Sequence, residues 1–480
     1  MDCQTKTVEN SCFNYTEMWI KGDFKMSENR TADVTKTKAI KMTSGSLWRN
    51  LFLFSVPLMF AQILEVMFNL SDVAVVGRFA DYKALGSVGS TTLLVTLFTG
   101  FLIGMGSGVN VQTALALGAK NRKNIEKTVH TSFILCAVIG LVVAVFCYFF
   151  AEGMLSLMNT KPELLDAAVR YLKIYALGMP AMAVYNFGNG VMSASGDTKR
   201  PLIYLTIAGI LNVLLNLFFV IVCQMAASGV AMASAIAQYV SATLIIISLL
   251  RRKDECKLQI AKIRLSKETA KQVLMMGIPA GIQNAIFAIA NLFVQTGVNS
   301  FDTIMVSGNS AAANADALIY NVMAAFYTGC TSFMGQNRGA GKRKRMIQSY
   351  FISLFYSFMI GAVLGIFLVV FGRQFLGIFA TEPAVIDAGM QRIRIMGFSY
   401  AVSAFMDCTI AGARGLGKSV APTVIVILGS CVFRVIWIFT VFAHFHTITS
   451  LYLLYVFSWS ITAVAEIIYF KVALRATGRS

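Results

Sequence analysis

The sequence predicts an all-α polytopic membrane protein whose twelve transmembrane helices form two bundles of six. The first observation is composition: 57% of the 480 residues are hydrophobic and 13% are charged, whereas soluble domains are about 25% charged. The second is a succession of twelve apolar segments, each long enough for the roughly 20 residues that cross a bilayer. The third is that the second half of the chain repeats the first. Together they exclude a soluble globular protein.

The apolar segments follow from the hydropathy of the chain, and short polar connections separate them. They occupy residues 51–76, 85–117, 129–151, 164–193, 201–223, 227–250, 272–299, 304–335, 350–372, 386–413, 420–443 and 450–474. The nine cysteines and three histidines are scattered without the spacing of a metal site. We therefore expect helices throughout and no structural metal.

The basic residues explain the formal charge of +18 through topology rather than through nucleic-acid binding. Alternate connections carry 21 Lys and Arg residues, and the other side of the membrane carries eight. Basic loops stay in the cytoplasm, so both termini are predicted to be cytoplasmic and no nucleic-acid partner is expected. Residues 1–45 are polar, mixed in charge and without apolar periodicity, which predicts a disordered tail.

The basic linker 251–271 divides the chain into halves 46–250 and 272–475, and these halves repeat. A shift of 221 residues brings glycines, prolines and charged residues of one half onto identical residues of the other, for example Gly118 onto Gly339. The first helix needs a shift of 222, which pairs Asn69 with Asn291. Six helices per half predict parallel repeats, related by an axis along the membrane normal and suited to alternating access.

The first apolar segment carries polar side chains that lipid alone would not tolerate. Each carboxylate at the centre of a membrane helix costs about 2.5–3.5 kcal/mol, yet this segment holds both Glu65 and Asp72. The two acids are seven residues apart and therefore lie on one face of a helix. Gln62 and Asn69 also belong to this segment, and Pro57 lies nearer its start. We predict that the acidic face binds the ion that powers the protein.

Several ordered motifs resemble the multidrug and toxic compound extrusion (MATE) transporters. They are VPLMFAQILEVMFNLSDVAVVGR, VQTALALGAKNRKN, SGDTKRP, NVLLN and GVAMASAIAQ in the first half, and GIPAGIQNAIF, MGQNRGAGK and ARGLGKSVAP in the second. The resemblance covers about residues 46–475. It implies a V-shaped fold in a bacterial inner membrane and no enzymatic activity. It also implies export of drugs and organic cations, driven by inward flow of H+ or Na+.

The resemblance also implies a coupling-cation site in the first half. Asp72 looks like the helix 1 aspartate that binds the coupling ion in several members of the family. Ser234 looks like its hydroxyl partner in helix 6. The family's N-x-x-x-D element in helix 5 appears as Asn212 and Asn216, so an asparagine stands where an aspartate is expected. Glu65 and Asn69 complete the predicted site. The alternative for these polar residues is that they only hold helices together.

The second half lacks the helix 7 glutamate of the NorM-type branch, which favours the DinF-type branch and coupling through the first half. Gln283, Asn284 and Phe287 stand in that neighbourhood. With Gln62 and Asp407, they are predicted to line the substrate cavity. Asp407 is also predicted to form a buried ion pair with Arg434. Glu466 is a second candidate partner for that arginine.

A bend in helix 1 is the predicted link between ion binding and transport. Pro57 lacks a backbone N–H group and can kink the helix, and Pro279 is its counterpart in the second half. The expected partners are small organic cations and the lipid bilayer, and the expected state is a monomer without a cofactor other than the coupling H+ or Na+.

Three other functions stay open on the sequence. A lipid-linked oligosaccharide flippase of the same superfamily would need a cationic cavity for phosphates, whereas the candidates here are acidic. An intramembrane enzyme would need a catalytic cluster at membrane depth, and none is evident in the sequence. A channel or receptor without coupling would leave Asp72 without a role in transport.

Overall fold

A computed structural model describes residues 39–477, and within that range the chain is helical, without a β-strand. Ten of the helices are long and apolar enough to cross a membrane. The other two, α4 and α8, are of similar length but do not meet the same measure of apolar composition. The helices are α1 Leu47–Phe79, α2 Tyr82–Gly118, α3 Arg122–Leu157, α4 Pro162–Ala194, α5 Lys199–Val222, α6 Ala226–Arg251, α7 Lys267–Val298, α8 Thr303–Gly339, α9 Arg343–Leu376, α10 Pro383–Gly415, α11 Val420–Phe445 and α12 Ile448–Ala476. The predicted all-α fold of twelve helices is confirmed.

Local sequence explains where these helices begin and end. Asp81 and Asp302, a pair related by the repeat, cap α2 and α8, and each carboxylate accepts a backbone N–H hydrogen bond at 2.8 Å. Gly196 and Gly417, another such pair, follow α4 and α10 with φ of 86° and 66°. Residues with a Cβ rarely adopt this conformation. The repeat therefore preserves helix ends as well as apolar segments.

The connections after α2, α4, α6, α8 and α10 lie at one end of the bundle, which we call the linker face. The linker between α6 and α7 packs along α3, where Cys256 and Leu258 are buried and the Gln259 N–H donates to His130 Nε2 at 3.0 Å. Burial opposes ionisation of Asp254, but its hydrogen bonds to Arg252 outweigh this and lower the pKa of the carboxyl. The linker is thus held against the N-terminal half.

The two halves of the molecule pack closely along the part of the bundle next to the linker face. A Cβ added at Gly104 of α2 would overlap the backbone of Gly281 in α7, and Gly108 stands in the same relation to Gly277. Small residues allow such close approach of membrane helices. Further along α2, Asn110 accepts a hydrogen bond from Ser332 of α8 at 3.0 Å.

Residues 40–45, the pre-helix segment, connect both halves at the linker face. The Ile40 N–H donates to the Gly196 carbonyl at 3.0 Å, and Met42 is buried beside Phe333 of α8. The Arg345 guanidinium donates to the carbonyls of Met42 at 3.0 Å, Ser44 at 2.9 Å and Gly45 at 2.7 Å. The predicted disordered tail 1–45 is therefore wrong for its last residues, because they find backbone and apolar partners. Residues 1–38 of that tail lie outside the described residues.

Candidate ion and substrate site

A cavity of about 390 Å³ lies inside the N-terminal half, between α1, α2, α4, α5 and α6. Glu65 and Asp72 are the charged residues among the described residues that line it. Its other lining residues are apolar, hydroxyl and amide side chains, with aromatic rings from Phe68, Tyr171 and Tyr175. The cavity is therefore acidic and partly aromatic.

Asp72 lies at the centre of a polar cluster formed by α1, α5 and α6. Asn216 Nδ2 donates to one carboxylate oxygen at 2.5 Å, and Ser234 Oγ donates to the other at 3.1 Å. Asn212 Nδ2 donates to Ser234 Oγ at 3.2 Å. The structure thus brings together four residues of the predicted coupling site, from three helices and from positions 144 and 162 residues apart.

The asparagine at position 216 changes the chemistry of this cluster. Asn212 and Asn216 are one helical turn apart, so both face α1. An aspartate at 216 would repel Asp72, whereas the amide donates to it and keeps one carboxylate in the cluster. Asn216 Oδ1 is buried and has no hydrogen-bond partner among the described residues. Carboxylate, amide and hydroxyl oxygens are suitable ligands for a hard cation.

The remaining members of the predicted site line the cavity but stand apart from the Asp72 cluster. Glu65 lies seven residues from Asp72, about 10 Å along the helix axis, and forms no hydrogen bond with the described part of the chain. Asn69 lies between the two acids, and Gln62 lies nearer the linker face. The cavity therefore presents two separate carboxyl groups along one helix.

The structure places the five residues predicted to line the substrate cavity in different parts of the molecule, and their role in substrate binding stays a prediction. Gln62 lines the cavity, but Gln283, Asn284, Phe287 and Asp407 do not. Their side chains belong to the C-terminal half or to the contact between halves. Gln283 accepts a hydrogen bond from Arg414 at 2.9 Å, and Asn284 donates to the Gly100 carbonyl of α2 at 3.0 Å.

The predicted ion pair between Asp407 and Arg434 is not formed among the described residues. Arg434 is buried, and its Nη1 donates to Asn291 Oδ1 of α7 at 2.8 Å. Its guanidinium lies 4.6 Å from the centre of the Tyr455 ring and 5.6 Å from that of Phe287. The side chain therefore points to α7 and α12 rather than to Asp407 on α10. Neither carboxyl oxygen of buried Glu466 has a hydrogen-bond partner among the described residues, so this acid does not pair with it either.

Sequence reasoning missed a buried charge network in the C-terminal half. Arg392 of α10 donates to Asp316 of α8 from Nε at 2.8 Å and from Nη2 at 2.5 Å, and to Asn309 from Nη1 at 2.6 Å. The hydroxyl of Tyr400 also donates to Asp316, and that of Tyr452 donates to Asn309 at 3.1 Å. An acid and a base inside apolar segments require partners, and that signal was available in the sequence.

A duplicated bundle of twelve helices, with an acidic cavity in one half, has the architecture of a secondary transporter. The family model described as MatE matches residues 57–218 and again residues 279–440. The chain therefore belongs to the MATE family of membrane transporters, which are not enzymes. Both matches are separated by the same 222 residues, which agrees with the internal repeat.

Two relatives and one solved structure are similar to this chain, and the structure shows that the fold is shared. The probable multidrug resistance protein YoeA of Bacillus subtilis is 26% identical over 394 residues, which cover 80% of this chain and 85% of the relative. A FAD transporter of Shewanella oneidensis is 22% identical over 72% of this chain and 77% of its own length. The solved structure of a MOP superfamily transporter from Pyrococcus furiosus has a TM-score of 0.86 at 19% identity, and the match covers 92% of this chain and 99% of that one.

Proposed function

We propose that the protein is a cation-coupled antiporter that exports organic cations by alternating access. The observation that carries the proposal is the cavity of the N-terminal half, whose charged lining residues in the described range are Asp72 and Glu65. Acidic residues at membrane depth are functional by default. The coupling H+ or Na+ binds at the Asp72 cluster, and the protein acts as a monomer in a bacterial inner membrane.

The charge of the cavity favours organic cations over phosphate-bearing substrates. Its described lining contains carboxyl groups and aromatic rings, which attract cations, and no Lys, Arg or His. One relative is named a FAD transporter, and FAD carries two phosphates that would meet Glu65 and Asp72 without a basic partner. The same argument disfavours a lipid-linked oligosaccharide, so we give preference to drugs and other cations.

The coupling ion and the organic cation compete for the same cavity, and this competition couples their transport. A cation at Asp72 has to share its carboxylate with Asn216 and Ser234, so ion binding changes how α1 packs on α5 and α6. Pro57 lies inside α1 on the linker-face side of both acids and supplies a position where the helix can bend. A bend there narrows the cavity and releases an organic cation bound near Glu65. Pro279 offers the equivalent hinge in α7.

The orientation of the molecule sets the direction of transport. The linker face carries the 21 Lys and Arg residues of the basic connections, so we place it and both termini in the cytoplasm. The halves are packed together next to this face. Access from the cytoplasm therefore requires the contacts at Gly104, Gly108 and the pre-helix segment to open.

Efflux of ethidium from proteoliposomes tests the proposal under an imposed sodium gradient or pH gradient. We expect one gradient to drive efflux, and Asp72→Asn, which keeps the shape of the side chain, to abolish it. Glu163→Gln is the matched control, because this exposed acid begins α4 outside the cavity. Full gradient-driven efflux by folded Asp72→Asn protein would overturn the coupling role. No efflux by the wild type under either gradient would overturn the assignment of organic cations as substrates.

A further inference from the structure

The structure allows each residue of the Asp72 cluster to be paired with its repeat counterpart. Between α1 and α7, a shift of 222 residues superimposes buried positions 47, 51, 54, 58, 75 and 76 on buried positions 269, 273, 276, 280, 297 and 298. The same shift separates the two family matches. In this register the counterparts of Glu65, Asn69 and Asp72 are Phe287, Asn291 and Val294.

The other helices of the site have equally clear registers. In α5 and α11, buried positions 208, 209, 212, 216 and 220 correspond to buried positions 430, 431, 434, 438 and 442. The counterpart of Asn212 is therefore Arg434, and that of Asn216 is Ile438. In α6 and α12, a shift of 221 aligns buried positions 230, 234, 241, 245 and 249 with 451, 455, 462, 466 and 470. This register pairs Ser234 with Tyr455.

The contacts of Arg434 are with the counterparts of one cluster residue, Ser234, and of two other residues of the predicted coupling site, Glu65 and Asn69. Its guanidinium donates to Asn291 and lies against the rings of Tyr455 and Phe287, which are the counterparts of Asn69, Ser234 and Glu65. The counterparts of Asp72 and Asn216 are Val294 and Ile438, both buried and apolar. The C-terminal half thus holds a cationic side chain where the N-terminal half holds a carboxylate cluster.

We infer that Arg434 is a built-in cation that permanently fills the C-terminal counterpart of the coupling site. This cation is part of a side chain of α11, so this half cannot release it. This inference rests on the proposed function, because it leaves the Asp72 cluster as the exchanging site of the pair. It also explains why α7 has no acid beyond Glu268 in its first turn: a carboxylate beside Arg434 would form an ion pair rather than an exchange site.

The chemistry of the pocket defines what it would accept without the arginine side chain. Arg434 is held by two aromatic rings and one amide oxygen, whereas Arg392 is held by the carboxylate of Asp316. Aromatic faces bind planar organic cations, and a single amide oxygen is a poor cage for Na+. Removal of the side chain should therefore create a site for a free guanidinium-type cation.

Thermal unfolding of purified Arg434→Ala in detergent tests this inference without any transport measurement. We expect low millimolar ethylguanidinium to raise the Tm of Arg434→Ala by about 2–4 °C, whereas NaCl and ethylammonium do not. The rise should disappear in Arg434→Ala/Asn291→Leu and in Arg434→Met, where a neutral chain fills the pocket. Absence of a selective rise in folded Arg434→Ala, or an equal rise in Arg434→Met, would overturn the inference.

A second measurement keeps the inference falsifiable if Arg434→Ala does not fold. Ethidium efflux is compared between Arg434→Lys, which keeps a cation, and Arg434→Met, which keeps length and loses charge. We expect Arg434→Lys to retain most of the efflux activity and Arg434→Met to reduce the efflux rate at least about tenfold. Efflux by Arg434→Met at the wild-type rate would show that the charge is not required. If Asp72→Asn does not impair efflux while Arg434→Ala still binds ethylguanidinium, the proposed function is overturned but the inference about Arg434 is not.

Discussion

The two halves of this transporter share a fold but use its interior in opposite ways. In the N-terminal half, Val88, Val95 and Tyr171 line the cavity. Their counterparts at a shift of 221 are Asn309, Asp316 and Arg392, which form the buried charge network. Where one half keeps open space, the other fills the same place with an ion pair.

This difference shows how a duplicated architecture can be divided into a working half and a supporting half. A carboxyl group in an open cavity is available to a mobile cation, as Asp72 and Glu65 are. The Asp316 carboxylate already has the Arg392 guanidinium, and the site around Asn291 already has Arg434. In the C-terminal half, the guanidinium groups of Arg392 and Arg434 thus occupy the two places where a mobile cation would otherwise bind.

The strongest expected effect concerns the Asp316–Arg392 pair. Asp316→Leu leaves a buried guanidinium without its carboxylate, which costs about 3–5 kcal/mol. Glu65→Gln in the N-terminal half should change stability little, because Glu65 has no hydrogen-bond partner among the described residues. Thermal unfolding in detergent measures both.

The counterpart residues provide the matched control for this prediction. Asp316→Val/Arg392→Tyr installs the pair found at Val95 and Tyr171, and should recover most of the lost stability because no charge stays unpaired. A double variant as unstable as Asp316→Leu would show that the network supports the fold through packing rather than charge.

An added carboxylate should act differently in the two halves. Asn216→Asp places a second acid beside Asp72, which should strengthen binding of the coupling cation by about tenfold, or about 1.4 kcal/mol. Asn291→Asp is the control, because the new acid meets Arg434 and is neutralised by it. Cation titrations followed by tryptophan fluorescence or calorimetry compare them. Equal gains in both variants would contradict the distinction between the halves.

The smallest expected effect lies at the linker face, where both halves are tied by the pre-helix segment. Arg345→Ala removes three hydrogen bonds, and each contributes no more than about 0.5–1.5 kcal/mol to stability because the side chain is partly exposed. Amide hydrogen exchange at residues 40–45 should become faster, whereas Lys344→Ala, which changes an exposed neighbour, should leave it unchanged. Unaltered exchange in Arg345→Ala would show that other contacts hold the segment.

Much of this architecture was predictable because its signals are long or repeated. The twelve apolar segments predicted the helices to within a few residues at most ends. The repeat relates Asp81 to Asp302, and both prove to be helix caps. Asp72 contacts Asn216 and Ser234, two other residues of the predicted site. Neighbours of this kind follow from helix periodicity and the family motif.

Contacts between side chains of different helices were harder to predict. The direction of the side chain turns by about 100° around the helix axis from one residue to the next, so a small change in register alters the partner. The segment Ile427–Val432 of α11 is π-helical, and the added residue rotates Arg434 relative to an ordinary helix. That rotation directs it to Asn291 rather than Asp407. For Asp316 and Arg392, the sequence contains the charges, but their meeting depends on how α8 and α10 pack.

Release of the coupling cation on substrate binding would decide which half exchanges ions. Ethidium is added to purified protein in weakly buffered detergent solution, and released H+ or Na+ is measured with an indicator dye or electrode. The proposed mechanism predicts release by the wild type and by Asp407→Asn, and none by Asp72→Asn. Release that persists in Asp72→Asn, or disappears in Asp407→Asn, would place the exchanging site in the C-terminal half and contradict it.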